Sequence, residues 1–390
     1  MGPDADSVYA YGRSNFLWAL VLSSSWLISA LSGPFFGALS DRWGKRKTLL
    51  ALSVVVCALS TASLYFAQPR QIILTATLVI VSNLAYALSE NFISAFLPHI
   101  TTASNIGKIS GLAWGIGYFG GLASIIVCAA ATGFRYTLDN FERLRLLGPI
   151  TAIFFIGGSI PTFLFVREPR VSRAATTLGT AIRSAYSELH QTLLNLRQFR
   201  DLALFLLASF FFQGGLSIVI SFAAVYGEQV VGISGGWQAA FFISLQITAA
   251  FGAFFCGWIE HRVGALRCIN VTLLIWISTI LMIFYLQDFC RIFHIEDIRL
   301  PFLVIGNCAG LCLGATQSSA RTLVGIFSPP EKSGEFFGFW GFSGKLAAVF
   351  ATFAFGALQA LFSLQGALLF CVLFFAIGFF INQAVREPSR

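Results

Sequence analysis

Eleven stretches of the 390-residue chain are each long and apolar enough to cross a lipid bilayer as a helix. Such a span needs about 20 mainly apolar residues, because 1.5 Å of rise per residue must cover a hydrocarbon core of about 30 Å. The stretches lie near 14–38, 48–67, 72–97, 109–131, 146–166, 202–226, 237–259, 267–287, 300–326, 335–360 and 363–384. Little is left over for a separate soluble domain. Composition agrees: 11% of the residues are charged and 57% hydrophobic, whereas a soluble domain carries roughly 25% charge. The expected fold class is an all-α membrane protein in which helices satisfy their own backbone hydrogen bonds.

The longest polar stretch, 167–200, carries Arg167, Arg170, Arg173, Arg183, Arg197 and Arg200. Within it Ile182, Tyr186, Leu189, Leu193, Leu194 and Leu196 recur at roughly helical spacing. We read it as an amphipathic interfacial helix joining two bundles, residues 1–166 with five spans and 201–390 with six. A plain solvated linker is the alternative. Loop charge sets the orientation. With the 39–47 loop and the linker inside, Lys45, Arg46, Lys47, Lys108, Arg262, Arg267, Lys332, Arg386 and Arg390 also fall inside. Arg13, Arg70, Arg135, Arg143, Arg145, Arg291 and Arg299 fall outside. The C-terminus is therefore expected in the cytoplasm. The sequence pI of about 9.2 is explained by loops facing anionic lipid rather than nucleic acid.

The chain repeats itself. Gly37, Arg42, Gly44 and Lys47 match Gly257, Arg262, Gly264 and Arg267 at an offset of 220. Gly107, Gly111 and Gly117 match Gly334, Gly338 and Gly344 at an offset of 227. In that register Glu90 corresponds to Gln317 and Ser94 to Arg321. Two independent sets imply parallel halves related by an axis along the membrane normal.

The first loop, Gly37-Ala-Leu39-Ser-Asp41-Arg42-Trp-Gly44-Lys45-Arg46, resembles the signature of the major facilitator superfamily. Further residues are similar to its vacuole-effluxer-like family, whose fungal members release amino acids from the vacuole. These are Phe96-Leu97-Pro98, Gly107-Lys108-Ile109-Ser110-Gly111 and the run Trp114 to Gly121. In the second half they are Gln317 to Thr322, Ser328-Pro329, Glu335 to Phe339 and Gly344-Lys345. The resemblance implies two six-helix bundles rocking about a midplane site. Of the helices lining that site, three correspond here to 72–97, 202–226 and 300–326. It also implies that Gly37, Asp41, Arg42, Gly44, Lys45 and Arg46 form a conformational latch. The signature follows the second family helix, yet a single span precedes it here, so the first family helix is expected to be missing. Two further departures are Phe212-Gln213-Gly214-Gly215, which lacks an acid usual there, and His99 in place of an acid.

Ionisable groups inside spans are costly and read as functional by default. Glu90 lies about 11 Å from the inner end of its span, Arg321 about 7 Å and Lys345 about 15 Å. Glu90 suits a proton carrier or a contact to a substrate amine; a structural acid is the alternative. Arg321 could fork onto a carboxylate or snorkel to the surface. Lys345 is too deep to snorkel, and Glu90 is its most plausible partner. Glu335 can act as an N-terminal helix acid or a gate contact. Gln213, Gln317, Gln246, Asn83 and Asn307 can line a cavity or join helices. Trp114 and Tyr118, one turn apart, can form an aromatic wall or pack on a neighbour.

The resemblance implies a secondary transporter of a small polar solute, amino acids first, and Glu90 offers a means of coupling to protons. The expected setting is the cell membrane, as a monomer, with no nucleic acid, cofactor or metal. No catalytic motif of the H-E-x-x-H, G-x-S-x-G or phosphate-loop type is present, so neither an enzyme nor an ATP-driven pump is expected. The eight cysteines are scattered in apolar runs and read as packing residues. A transporter-like sensor, assembly factor or truncated product without transport is the competing reading.

Overall fold

The computed structural model describes residues 5–68, 71–133, 140–169, 177–233, 236–361 and 364–388. Of the basic residues used to orient the chain, Arg70, Arg135, Arg170, Arg173 and Arg390 lie outside the described residues. The described chain is helical: α1 (Ala5–Trp43), α2 (Arg46–Ser63), α3 (Ile72–Ser94), α4 (Leu97–Ile100), α5 (Ile106–Thr132), α6 (Phe141–Leu144), α7 (Leu147–Phe165), α8 (Leu178–Leu194), α9 (Arg200–Tyr226), α10 (Gly236–Val263), α11 (Ala265–Phe284), α12 (Leu286–Ile292), α13 (Arg299–Phe327), α14 (Ser333–Leu361) and α15 (Leu364–Asn382). Eleven helical segments are long and apolar enough to cross a membrane, as the sequence implies.

Packing follows the sequence repeat. The glycine offsets pair α1 with α10 and α5 with α14. Exchanging those partners turns the α1–α14 seam into the α10–α5 seam, and both are extensive contacts. The α2–α7 and α11–α15 contacts exchange in the same way, as do α1–α3 and α10–α13. Even the turns correspond. Gly44 between α1 and α2 has φ +64°, and Gly264 between α10 and α11 has φ +98°, a region that L-residues with a Cβ rarely enter.

The glycine runs are where helices of the two halves touch. A Cβ on Gly37 would overlap the Gly334 carbonyl, and one on Gly338 would come within 2.5 Å of the Gly33 carbonyl. On the opposite seam a Cβ on Gly257 would lie 2.6 Å from the Gly107 carbonyl, and one on Gly111 would overlap that of Ala253. Lipid supplies no hydrophobic drive between helices, so close backbone approach at small residues supplies the packing instead.

One helix breaks the symmetry. α9 packs against α14 and α15. Among the described residues no helix occupies the corresponding place against α5 and α7. The consequence is visible in burial: α7 buries Ala152 alone, whereas α15 buries Ala367, Leu368, Cys371, Phe374, Phe375, Gly378 and Asn382. The larger apolar core accordingly lies among α9 to α15, where Trp276 stacks on Phe375 at 5.2 Å. A smaller core around Leu50, Val54, Phe92 and Phe96 serves the first half.

Candidate functional site

A cavity of about 220 Å³ lies between the halves. Its polar lining comes from four helices. α3 supplies Glu90 and Asn91. From α9 come Gln213 and Ser217, and from α13 Gln317. α14 supplies Lys345, and Trp26 and Trp340 add aromatic surface. Lys345 Nζ lies 3.5 Å from Glu90 Oε2, with each side chain 29% exposed. Gln213 Nε2 donates to Gln317 Oε1 at 3.3 Å, joining α9 to α13 beside that pair. The buried indole N–H of Trp340 has no protein acceptor among the described residues. This set offers an anionic acceptor, a cationic donor and three amides, which together can hold a solute carrying both charges.

The remaining residues singled out in the spans do other work in this conformation. Arg321 spans from α13 to α5, donating from Nε to Ser110 Oγ at 3.1 Å and from Nη2 to the Ser110 carbonyl at 2.7 Å. Its guanidinium also sits 5.5 Å from the Trp114 ring centroid. Trp114 and Tyr118 stand 5.8 Å apart, ring to ring, on the same side of α5. Gln246 faces Gly121 across the α5–α10 seam. Asn83 donates to Ser25 Oγ at 3.0 Å, and Asn307 donates to Ser244 Oγ at 3.2 Å; both join neighbouring helices.

Beyond one end of the cavity, the signature residues build a buried electrostatic lock. Asp41, at the end of α1, accepts backbone N–H groups from Gly334 at 3.0 Å and Glu335 at 2.9 Å, so it caps α14. A carboxylate at a helix N-terminus satisfies orphan donors and meets the positive end of the dipole. Arg46 pairs with Asp41 and is itself buried. It also donates to the Ala95 carbonyl at 2.7 Å and to Ser333 Oγ at 3.0 Å. His99 Nε2 lies 3.3 Å from the same Ser333 hydroxyl. Lys45 is exposed and lies over the Trp43 ring, 5.1 Å from its centroid. Glu335 is fully buried in the first turn of α14.

Sequence reasoning missed three parts of this machinery. Glu188, on α8, takes Arg42 of α1 on one oxygen and Lys332 on the other, the latter at 3.3 Å. No spacing rule joins residues so far apart in the chain. Asn91 sits where α1 crosses α14, and added Cβ atoms on Gly33 and Gly341 would both meet its amide. The third part had a signal. Val166-Arg167-Glu168-Pro169 recurs as Val385-Arg386-Glu387-Pro388. Glu168 accepts the Lys47 N–H at 2.9 Å, and Glu387 accepts the Leu266 N–H at 3.1 Å. Each half thus ends by capping its own helix after the glycine turn.

Known proteins share this architecture. A solved proton:xylose symporter of the major facilitator superfamily superposes with a TM-score of 0.74 at 15% identity, covering 97% of this chain and 88% of that one. The human organic anion transporter MFSD10 superposes with a TM-score of 0.70 at 17% identity, covering 94% of this chain and 83% of that one. An uncharacterized MFS-type transporter of Bacillus subtilis, YxiO, is 23% identical over 99% of this chain and 88% of its own length. Autophagy-related protein 22 of Coccidioides immitis is 22% identical over 87% of this chain, which spans 66% of that protein's length. The family description "Vacuole effluxer Atg22 like" matches residues 13–387. The chain is therefore a multi-pass integral membrane protein of the major facilitator type, and it belongs to the Atg22-like vacuole effluxer family.

Proposed function

We propose that this MFS-type transporter carries small zwitterionic solutes, amino acids first, by alternating access around the Glu90–Lys345 cavity. The observation that carries the reading is the pairing of one carboxylate and one ammonium, from opposite halves, in a cavity of about 220 Å³. That volume is below the roughly 300–1,000 Å³ of sites for drug-sized ligands. A solute with its own ammonium and carboxylate can part the pair and take each partner, with Gln213, Gln317 and the Trp340 N–H as further contacts. Because the pair bridges α3 and α14, exchanging it for a solute changes what holds the halves together. Protonation of Glu90 would release Lys345 by the same route, which gives a means of coupling to a proton gradient.

Asp41, Arg46 and Arg42 then act as the latch that keeps the far end shut while the cavity is loaded. The excess of basic residues in the loops at that end supports a cytoplasmic side for it and for the C-terminus, and a cell membrane is the setting we propose. The test is uptake of a panel of radiolabelled neutral amino acids into proteoliposomes, with and without an imposed pH gradient. Wild-type protein is expected to accumulate a subset of them, faster with the gradient. Glu90→Gln is expected to abolish the gradient's effect. Uptake insensitive to both the gradient and Glu90→Gln removes the proton role. Absence of uptake for every amino acid in the panel removes the substrate class.

A further inference from the structure

α8 presents three distinct arcs. At 3.6 residues per turn, Ala181, Ala185, Glu188 and Thr192 share one arc and are buried. Ala181 and Ala185 pack on Ala38 and Leu39 near the end of α1, which places α8 at the boundary of the membrane. The adjoining arc holds Leu178, Ile182, Tyr186, Leu189 and Leu193. Leu178, Tyr186 and Leu193 are 47%, 63% and 51% exposed, a large apolar surface for one short helix. This arc continues onto the flank of α1, since Tyr186 packs on Phe35 at 4.8 Å between ring centroids. The third arc carries Arg183 and His190, with the exposed Leu194 at its C-terminal end.

Exposed charge around α8 is mainly basic. Arg183 and Arg197 are exposed, Arg200 is exposed beside Asp201 at 3.8 Å, and the sole acid within the helix, Glu188, is turned inward between Arg42 and Lys332. An exposed apolar arc flanked by arginines, set at the end of a span, is complementary to an anionic lipid leaflet. A neutral partner protein would explain the apolar arc and leave Arg183 and Arg197 without a counter-charge.

We propose that the outer arc of α8 docks on anionic phospholipid, and that lipid held there keeps Glu188 bridging Arg42 and Lys332, so that the leaflet's charge controls the latch. The buried face of α8 touches both halves through one carboxylate. Lifting α8 away from the bilayer would withdraw that carboxylate from both cations at once. The proposal is independent of which solute the cavity takes.

Hydrogen exchange on the full-length protein in nanodiscs tests it without a substrate. The lipids are phosphatidylcholine alone or phosphatidylcholine mixed with phosphatidylglycerol. Anionic lipid is expected to slow exchange at 178–194 by about tenfold, with smaller slowing at the 43–46 turn, and added salt is expected to reduce both effects. Arg183→Gln with Leu193→Asn is expected to lose the lipid response at α8 while exchange in α11 and α13 stays unchanged, showing an intact fold. Glu188→Gln is expected to keep the response at α8 and lose it at the turn. Equal exchange in the two lipids overturns the proposal, as does a full response in the outer-arc variant. Inorganic phosphate reproducing the effect in phosphatidylcholine alone overturns it in favour of a soluble anion. Slowing at α8 with none at the turn refutes control of the latch.

Discussion

The carboxylate of Asp41 accepts the backbone N–H of Glu335 at 2.9 Å, so the last turn of a helix in the first half caps the first turn of a helix in the second. The two residues are far apart in sequence, and the contact joins the two halves. The cap is reinforced by Arg46, which pairs with Asp41 and reaches Ser333 just ahead of Glu335.

Removing one partner of a buried ion pair leaves the other charge without compensation. Asp41→Ala is therefore expected to destabilise the closed form by about 3–5 kcal/mol. Asp41→Asn, which keeps one acceptor oxygen, is expected to cost less. Thermal unfolding in nanodiscs measures both, and the double variant Asp41→Ala/Arg46→Met should recover part of the loss. Equal melting of Asp41→Ala and wild type would contradict the lock.

Glycine substitutions should divide by seam. Gly37→Ala forces a Cβ into the Gly334 carbonyl and is expected to cost about 1–3 kcal/mol, as overpacking does. Gly158→Ala meets nothing within 4 Å and is expected to be neutral, or stabilising by up to about 1 kcal/mol through helix propensity. Its repeat counterpart, Gly378, faces Phe212 and the Ala208 carbonyl of α9, with an added Cβ at 3.2–3.3 Å, so Gly378→Leu is expected to be far more damaging than Gly158→Leu. Melting temperatures of the four variants check the ordering.

Arg321 ties α13 to α5 through Ser110. Hydrogen bonds from a charged group are worth about 1.5–3 kcal/mol. Arg321→Met is expected to lower stability by that order. Ser110→Ala is expected to cost less, since it keeps the bond to the backbone carbonyl. A double-mutant cycle by thermal unfolding reads the coupling to the hydroxyl; independent, additive losses would show that the Arg321–Ser110 Oγ bond carries no energy.

Much of the fold was written in the glycines. Gly37, Gly44, Gly257 and Gly264, with Gly107, Gly111, Gly334 and Gly338, gave the repeat, and the structure shows why those positions cannot carry a side chain or must turn the chain. Depth along the helix drew attention to Glu90 and Lys345, because a buried charge in lipid has few ways to be satisfied. The faces of the helices were not legible. Spans that are apolar all round carry no polar side to mark the cavity, so Asn91, Trp26 and Trp340 went unnoticed. Arg321 was seen, yet its partner Ser110 was not, because a small hydroxyl residue in a span has no depth penalty to betray it. Glu188 lay in a segment read as a linker, and only the folded chain brings it to Arg42. The Val-Arg-Glu-Pro repeat was available in the sequence and shows its meaning once Glu168 and Glu387 are found at matching helix starts.

The most direct test of the account is charge exchange at the cavity. Amino-acid uptake into proteoliposomes is measured for wild type, Glu90→Lys, Lys345→Glu and the double exchange. The account predicts that each single exchange abolishes uptake by placing like charges 3.5 Å apart, and that the double exchange restores a measurable part of it. Two well-folded single variants that transport at the wild-type rate, or a folded double variant with none of the activity regained, would contradict a working ion pair between Glu90 and Lys345.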